Sequence, residues 1–303
     1  MLAGVMVLWF LLTALSVIYV AIDIRTTPED PVMKWGFVII TAFIGPLGAF
    51  LYLLGCREPL PGTHAEYVRV MWRQVLGSTL HCVAGDGLGI AVAAVITSYG
   101  HFPLYGDLMA EYVLGFLLGW TVFQALFMRG MVGGSYQRAL RTTFIPELYS
   151  MNGVMAGMGG LMIVLMSHVP GVHHPWTPQF WFVMSMSLLT GLVVAYPINW
   201  WLVSHGLKHG MMTAPTPDRP IPVAAGLALA GAALKRTTAQ HPDDSPDHTA
   251  STNHPGTHAL DTMPMRQGSI VPRWELPRMG VLTFATLLIG IGLGAQFGNL
   301  FMR

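Results

Sequence analysis

The chain has 303 residues, of which 53% are hydrophobic and only 10% charged, with a formal net charge of +1. An ordinary soluble domain carries about 25% charged residues, so this composition excludes a water-soluble globule and, with apolar runs about twenty residues long, identifies an integral membrane protein. The balanced charge lacks the concentrated basic patch that nucleic-acid binding requires, and two cysteines, Cys56 and Cys82, cannot build a disulfide framework.

The apolar runs predict an all-α integral membrane protein of about seven transmembrane helices around a four-helix core bundle. In chain order the expected spans are Leu2–Ala21, Trp35–Gly55, Val75–Ser98, Leu108–Met128, Tyr149–His168, Phe180–Val203 and Gly280–Phe301. The first lacks a basic leader and is longer than the ~7–15-residue core of a signal peptide, so it reads as a retained span. Residues 1–56 form two N-terminal transmembrane helices, residues 67–212 the membrane core, residues 213–278 a cytoplasmic low-complexity linker rich in His and Pro, and residues 279–303 a C-terminal transmembrane helix. Within the linker, Val223–Leu234 is apolar but too short to span and reads as a surface segment.

Lys and Arg set the orientation. Arg57, Arg69 and Arg73 fall in the second loop, Arg129, Arg138 and Arg141 in the fourth, and Lys208 opens the sixth. These loops are cytoplasmic by the positive-inside rule. The first loop has Arg25 and Lys34 diluted by Asp23, Glu29 and Asp30, and is expected outside. That places the chain in a bacterial inner membrane, N-terminus cytoplasmic and C-terminus outside.

Chemistry is sought where ionisable residues lie inside spans. Asp86 sits near mid-membrane, where a carboxylate costs about 2.5–3.5 kcal/mol on insertion scales, and such residues mark functional sites. Cys82, four residues earlier, shares its helix face, and His81 lies beside that face. Thiolate, imidazole and carboxylate make a ligand set for a transition metal such as copper, or a proton-relay site; the competing reading is a protonated Asp86 packed against another helix. Met151 and Met155 lead a methionine stripe at helical spacing that offers soft thioether ligands, or plain packing. Asn152 and Asn199 fall at similar depth. Glu111, with Asp107 one turn earlier, lies near the outer interface and reads either as an entry-side carboxylate, a second point on an ion path with Asp86, or as a snorkelling residue. His205 and His209, four residues apart around Lys208 at the cytoplasmic end of the sixth span, have a workable ligand spacing on a helix, or simply form a solvated helix end with favourable cations. The linker histidines beside Asp243, Asp244 and Asp247 read as a metal-buffering tract or a plain polar linker. Gly290, Gly294 and Gly298, at four-residue spacing in the last span, let another helix approach closely and point to a membrane-protein partner or to internal packing.

The stretches Leu80–Asp86 (LHCVAGD) and Tyr196–Met211 (YPINWWLVSHGLKHGM) resemble an uncharacterised family of bacterial multi-pass membrane proteins catalogued as a domain of unknown function. The likeness covers about Tyr67–Met212 and implies one four-helix membrane domain that begins with the His-Cys helix. It implies no activity and no ligand set.

No phosphate loop, HExxH or GxSxG pattern survives inspection, and Gly85–Gly89 lies within a span without the following Lys and Ser/Thr. The sequence therefore points away from an enzyme. It points to a membrane bundle that handles a transition metal or a proton at His81, Cys82 and Asp86. The alternative is a non-catalytic membrane subunit or assembly factor of a larger complex.

Overall fold

The computed structural model of the protein describes residues 2–100, 102–130, 132–210, 272 and 274–300. Most of the expected linker, including Val223–Leu234 and its histidines, lies outside the described residues. Among these, the chain is all-helical without strands: α1 (Leu2–Asp23), α2 (Pro31–Ile44), α3 (Pro46–Gly55), α4 (His64–Val68), α5 (Met71–Ser98), α6 (Leu104–Leu118), α7 (Ala125–Arg129), α8 (Tyr136–His168), α9 (Pro178–Ser204) and α10 (Glu275–Leu300). A π-helical segment, Gly119–Gln124, joins α6 to α7 in one continuous rod. Among the described residues, six helices are long and apolar enough to cross a membrane: α1, α5, the α6–α7 rod, α8, α9 and α10.

The expected second span is the exception. Trp35–Gly55 is not one helix but a hairpin of α2 and α3, neither long enough to cross by itself. The turn is made by Gly45, whose φ of 62° is open to glycine and strained for other residues, followed by Pro46, which supplies no amide for a continuing helix. The two helices fold back on each other. A Cβ at Gly48 would lie 2.6 Å from Thr41 Cα, and the rings of Phe37 and Tyr52 stand 5.5 Å apart. In a straight helix those two rings would be about 22 Å apart along the axis. At the tip, the Ser185 hydroxyl donates to the Phe43 carbonyl freed by the turn and accepts from Trp9 Nε1 at 3.1 Å.

Both ends of the hairpin meet the end of α1. Arg57 pairs with Asp23 at 3.1 Å, and Tyr52 donates to the same carboxylate at 2.7 Å. His64 lies 2.9 Å from both Glu29 and Glu58. Burial alone would lower the His64 pKa, but the hydrogen bonds and charges of the two carboxylates raise it above its usual value.

Around the hairpin, α5 is the hub. It packs against α2, α6 and α9, while α8 lies between α9 and α10. The first loop, the base of the hairpin, the start of α5, the end of α7, the start of α8 and the end of α9 gather at one end of the bundle. Here α10 also begins: Tyr149 Oη donates to the Leu276 carbonyl at 2.7 Å, and α10 then runs parallel to α8. Every Lys and Arg among the described residues belongs to segments at this end, while the connections 99–103 and 169–177 at the other end have none.

Candidate functional site

The buried polar centre lies between α5, α8 and α9, close to the basic end. Cys82 on α5 stands 3.0 and 2.9 Å from the two carboxylate oxygens of Glu147 on α8. Its sulfur is 3.2 Å from Ser150 Oγ, one turn further along α8. Asn199 on α9 donates to Ser150 at 2.9 Å. Lys208 completes the network. Its Nζ donates to Cys82 Sγ at 2.8 Å, to Asn199 Oδ1 at 2.9 Å and to Glu147 Oε2 at 3.3 Å. Asp86, one turn beyond Cys82, is wholly buried, and neither of its oxygens has a hydrogen-bond partner. One donor atom from each of Cys82, Asp86 and Glu147 lies within 4.8 Å of the others.

Helix irregularities supply the room and the reach. Pro146 cannot donate to the preceding turn of α8, which loosens the helix beside Glu147. Gly119, where the π segment opens, faces the two acids: a Cβ there would fall on Asp86 Oδ1 and lie 2.8 Å from Glu147 Oε1. α5 and α6 approach closely because Gly89 meets Gly115: a Cβ added at Gly89 would stand 2.7 Å from Gly115 Cα. Lys208 is delivered by a turn rather than by a helix. α9 ends at Ser204, and Gly206 (φ 69°) forms a Schellman cap in which Gly206 N–H donates to Val203 O at 3.1 Å and Leu207 N–H to Leu202 O at 2.9 Å. The chain reverses there and carries Lys208 back into the bundle.

The predicted site residues separate accordingly. Cys82, Asp86, Asn199 and Lys208 converge. His81 does not: its ring sits between Phe123 and Phe127, each 5.4 Å away, and against Gly36 of α2, and its Nε2 has no hydrogen-bond partner. Met151 and Met155 are buried, and Met151 reaches Gly115 rather than joining the network. Asn152 accepts from Tyr112 at 2.7 Å and donates to Thr283 at 3.1 Å, tying α6, α8 and α10 together. His205 and His209 are not a helical pair, because the Gly206 cap intervenes. His205 stacks on Trp201 and lies 2.8 Å from the Trp201 carbonyl, and burial holds the His209 imidazole below its usual pKa.

Glu111 is 2% exposed, with one carboxylate oxygen unpartnered. It lines a cavity of about 60 Å³ at the far end of the bundle, with Asp107, Thr97 and His173. Such a volume has room for more than one water. Glu111, Gly115 and Gly119 lie on one face of the α6 rod, so two buried acids at different depths share the groove between α5 and α6.

The glycines of α10 meet α8 of the same chain. Cβ atoms at Gly290 and Gly294 would fall on the carbonyls of Ala156 and Gly160, and one at Gly298 would lie 3.3 Å from Ile163.

Glu147 and Ser150 were outside the predicted site. Glu147 precedes the apolar run that begins at Tyr149, so a hydropathy reading places it in a loop. In fact α8 begins at Tyr136, well before that run. The signal available was spacing: Glu147, Ser150 and Val154 share a helix face with the predicted Met151.

Residues 71–208, from the start of α5 to Lys208, match the model of a family described as a Domain of unknown function (DUF4396). This agrees with the resemblance to an uncharacterised family read over that part of the sequence. No curated protein and no solved structure matches the chain.

Proposed function

We propose that this is a multi-pass membrane protein that binds and passes a proton at the Asp86–Glu147 pair. The observation that carries this reading is the ammonium of Lys208, seated on Cys82 and Glu147. It supplies the positive charge that a metal cation would bring. With both acids ionised, the thiol neutral and the lysine charged, the cluster carries one surplus negative charge, and a single proton neutralises it. Two carboxylates in one buried site favour a shared proton, and unpartnered Asp86 oxygens favour its capture. Glu111 and its cavity supply a second acidic station toward the other end.

In proteoliposomes with a trapped pH indicator, the protein should dissipate an imposed pH gradient. Asp86→Asn should abolish that flux and Cys82→Ser should retain most of it. Flux unchanged in Asp86→Asn would refute the proposal. The proximity of the Cys82, Asp86 and Glu147 donor atoms also supports a metal reading; a stoichiometric metal in purified protein that is lost with Cys82→Ser would replace protons by that ion.

The same reading assigns orientation in a bacterial inner membrane. The hairpin adds two helices without a crossing, so Arg25 and Lys34 share the basic end with the other cations. By the positive-inside rule that end is cytoplasmic, which favours both the Leu2 end of α1 and the Leu300 end of α10 on the outside, in place of an N-terminus inside. Gly4 has open space around its Cα, so Gly4→Cys should react with a membrane-impermeant maleimide in intact spheroplasts. Labelling only after permeabilisation would reverse the assignment.

A further inference from the structure

We infer that Glu29, Cys56 and His64 form a second site, for a borderline divalent transition metal of the zinc class, at the base of the α2–α3 hairpin. These residues come from three segments that the hairpin brings together: the turn before α2, the residue that caps α3, and the first residue of α4. All three are buried, Cys56 completely. Their donor atoms lie within 4.8 Å of one another. His64 Nε2 is 2.9 Å and Cys56 Sγ 3.9 Å from Glu29 Oε1. Zinc–ligand bonds of about 2.0–2.3 Å in a tetrahedron set ligand-to-ligand edges of roughly 3.3–3.8 Å, so shifts of no more than about 1 Å seat the ion.

Two further features point into the same place. Glu58 Oε2 stands 2.9 Å from His64 Nδ1. This is the carboxylate–histidine arrangement that keeps the proton on Nδ1 and turns the Nε2 lone pair toward a metal. The second oxygen of Glu29, 3% exposed as a residue, is buried without a hydrogen-bond partner. One sulfur, one imidazole nitrogen and one carboxylate oxygen are a zinc ligand set with a fourth position left for water. Among the described residues no lysine occupies this site, in contrast to the intramembrane cluster; the neighbouring Arg57 is engaged with Asp23. A divalent ion entering here displaces the Cys56 thiol proton and the proton on His64 Nε2. Two protons leave as two positive charges arrive, so the net charge of the site is unchanged. Bound metal ties both hairpin ends to α4.

The test is cobalt titration of the full-length protein in detergent. One equivalent of Co²⁺ should produce a near-ultraviolet thiolate-to-cobalt absorption that Zn²⁺ abolishes. The band should persist in Cys82→Ser and vanish in Cys56→Ser. Glu58→Gln, which leaves all three ligands in place, should weaken Co²⁺ affinity about 10–100-fold, and it serves where Cys56→Ser fails to fold. Absence of the band in the unmutated protein, its survival in Cys56→Ser, or an unchanged affinity in Glu58→Gln would overturn the assignment.

Discussion

Lys208→Met is expected to be the most damaging single substitution in the polar centre, with a loss of about 3–5 kcal/mol, the usual effect of removing one partner from a buried ion pair. The ammonium touches Cys82, Glu147 and Asn199 at once, and both Lys208 and Glu147 are buried. Without it, Glu147 and Asp86 are left as two acids in a low-dielectric interior with no counter-charge. Combining Lys208→Met with Glu147→Gln removes the stranded charge and should recover much of the loss, because a buried pair replaced as a whole is often close to neutral. The apparent melting temperature of purified protein, followed by tryptophan fluorescence, should fall on the order of 10 °C in the single variant and by much less in the double. Equal melting of Lys208→Met and the unmutated protein would mean that Lys208 does not carry the counter-charge. Lys208→Arg is not a safe replacement, since a planar guanidinium cannot present one nitrogen to three partners as an ammonium does.

The second large effect concerns the last helix. Gly290→Ala should destabilise the protein by about 1–3 kcal/mol, because the added methyl lands on the Ala156 carbonyl and α10 cannot keep its distance from α8. Gly292, two residues on, has open space where a methyl would go. Gly292→Ala should therefore be neutral, or stabilising by up to ~1 kcal/mol through helix propensity. The pair is a clean comparison of identical chemistry on opposite faces of one turn, and melting of the two variants side by side decides it. Loss of stability in both, or in neither, would show that the α8–α10 approach does not depend on the glycine stripe.

Much of the architecture is legible in composition and apolar run length, because a bilayer imposes both. Asp86 stands out for the same reason: a lone carboxylate in a long apolar run is costly enough to be informative. What was not legible has specific causes. The hairpin was announced by Gly45-Pro46 in the middle of an apolar run, yet hydropathy does not distinguish one crossing from a descent and return. Glu147 was hidden because run-length reading stops at the first charge, whereas α8 continues through it. His81 stands apart from the cluster because neighbours in sequence on a helix point about 100° apart, and that rotation delivers its ring to Phe123 and Phe127. Lys208 reads as an ordinary interfacial cation unless Gly206 is recognised as a cap that sends the chain back.

The π segment at Gly119–Gln124 solves a problem of register. Glu111, Gly115, Gly119, Phe123 and Phe127 recur every four residues, and each faces α5: Glu111 shares its cavity with Thr97, Gly115 meets Ile90, Gly119 meets Asp86, Phe123 meets Gly85, and Phe127 meets His81. A regular α-helix turns 3.6 residues per revolution, so a four-residue stripe drifts by about 40° per step and about 160° over this length. Glu111 and Phe127 would then look in nearly opposite directions. The wider i→i+5 turn underwinds the rod at its midpoint and cancels part of that drift. Removing one residue from 119–124 would rotate one half of the stripe by about 100° against the other. The acid station at one end of the groove and the aromatic slot around His81 at the other would no longer belong to the same face.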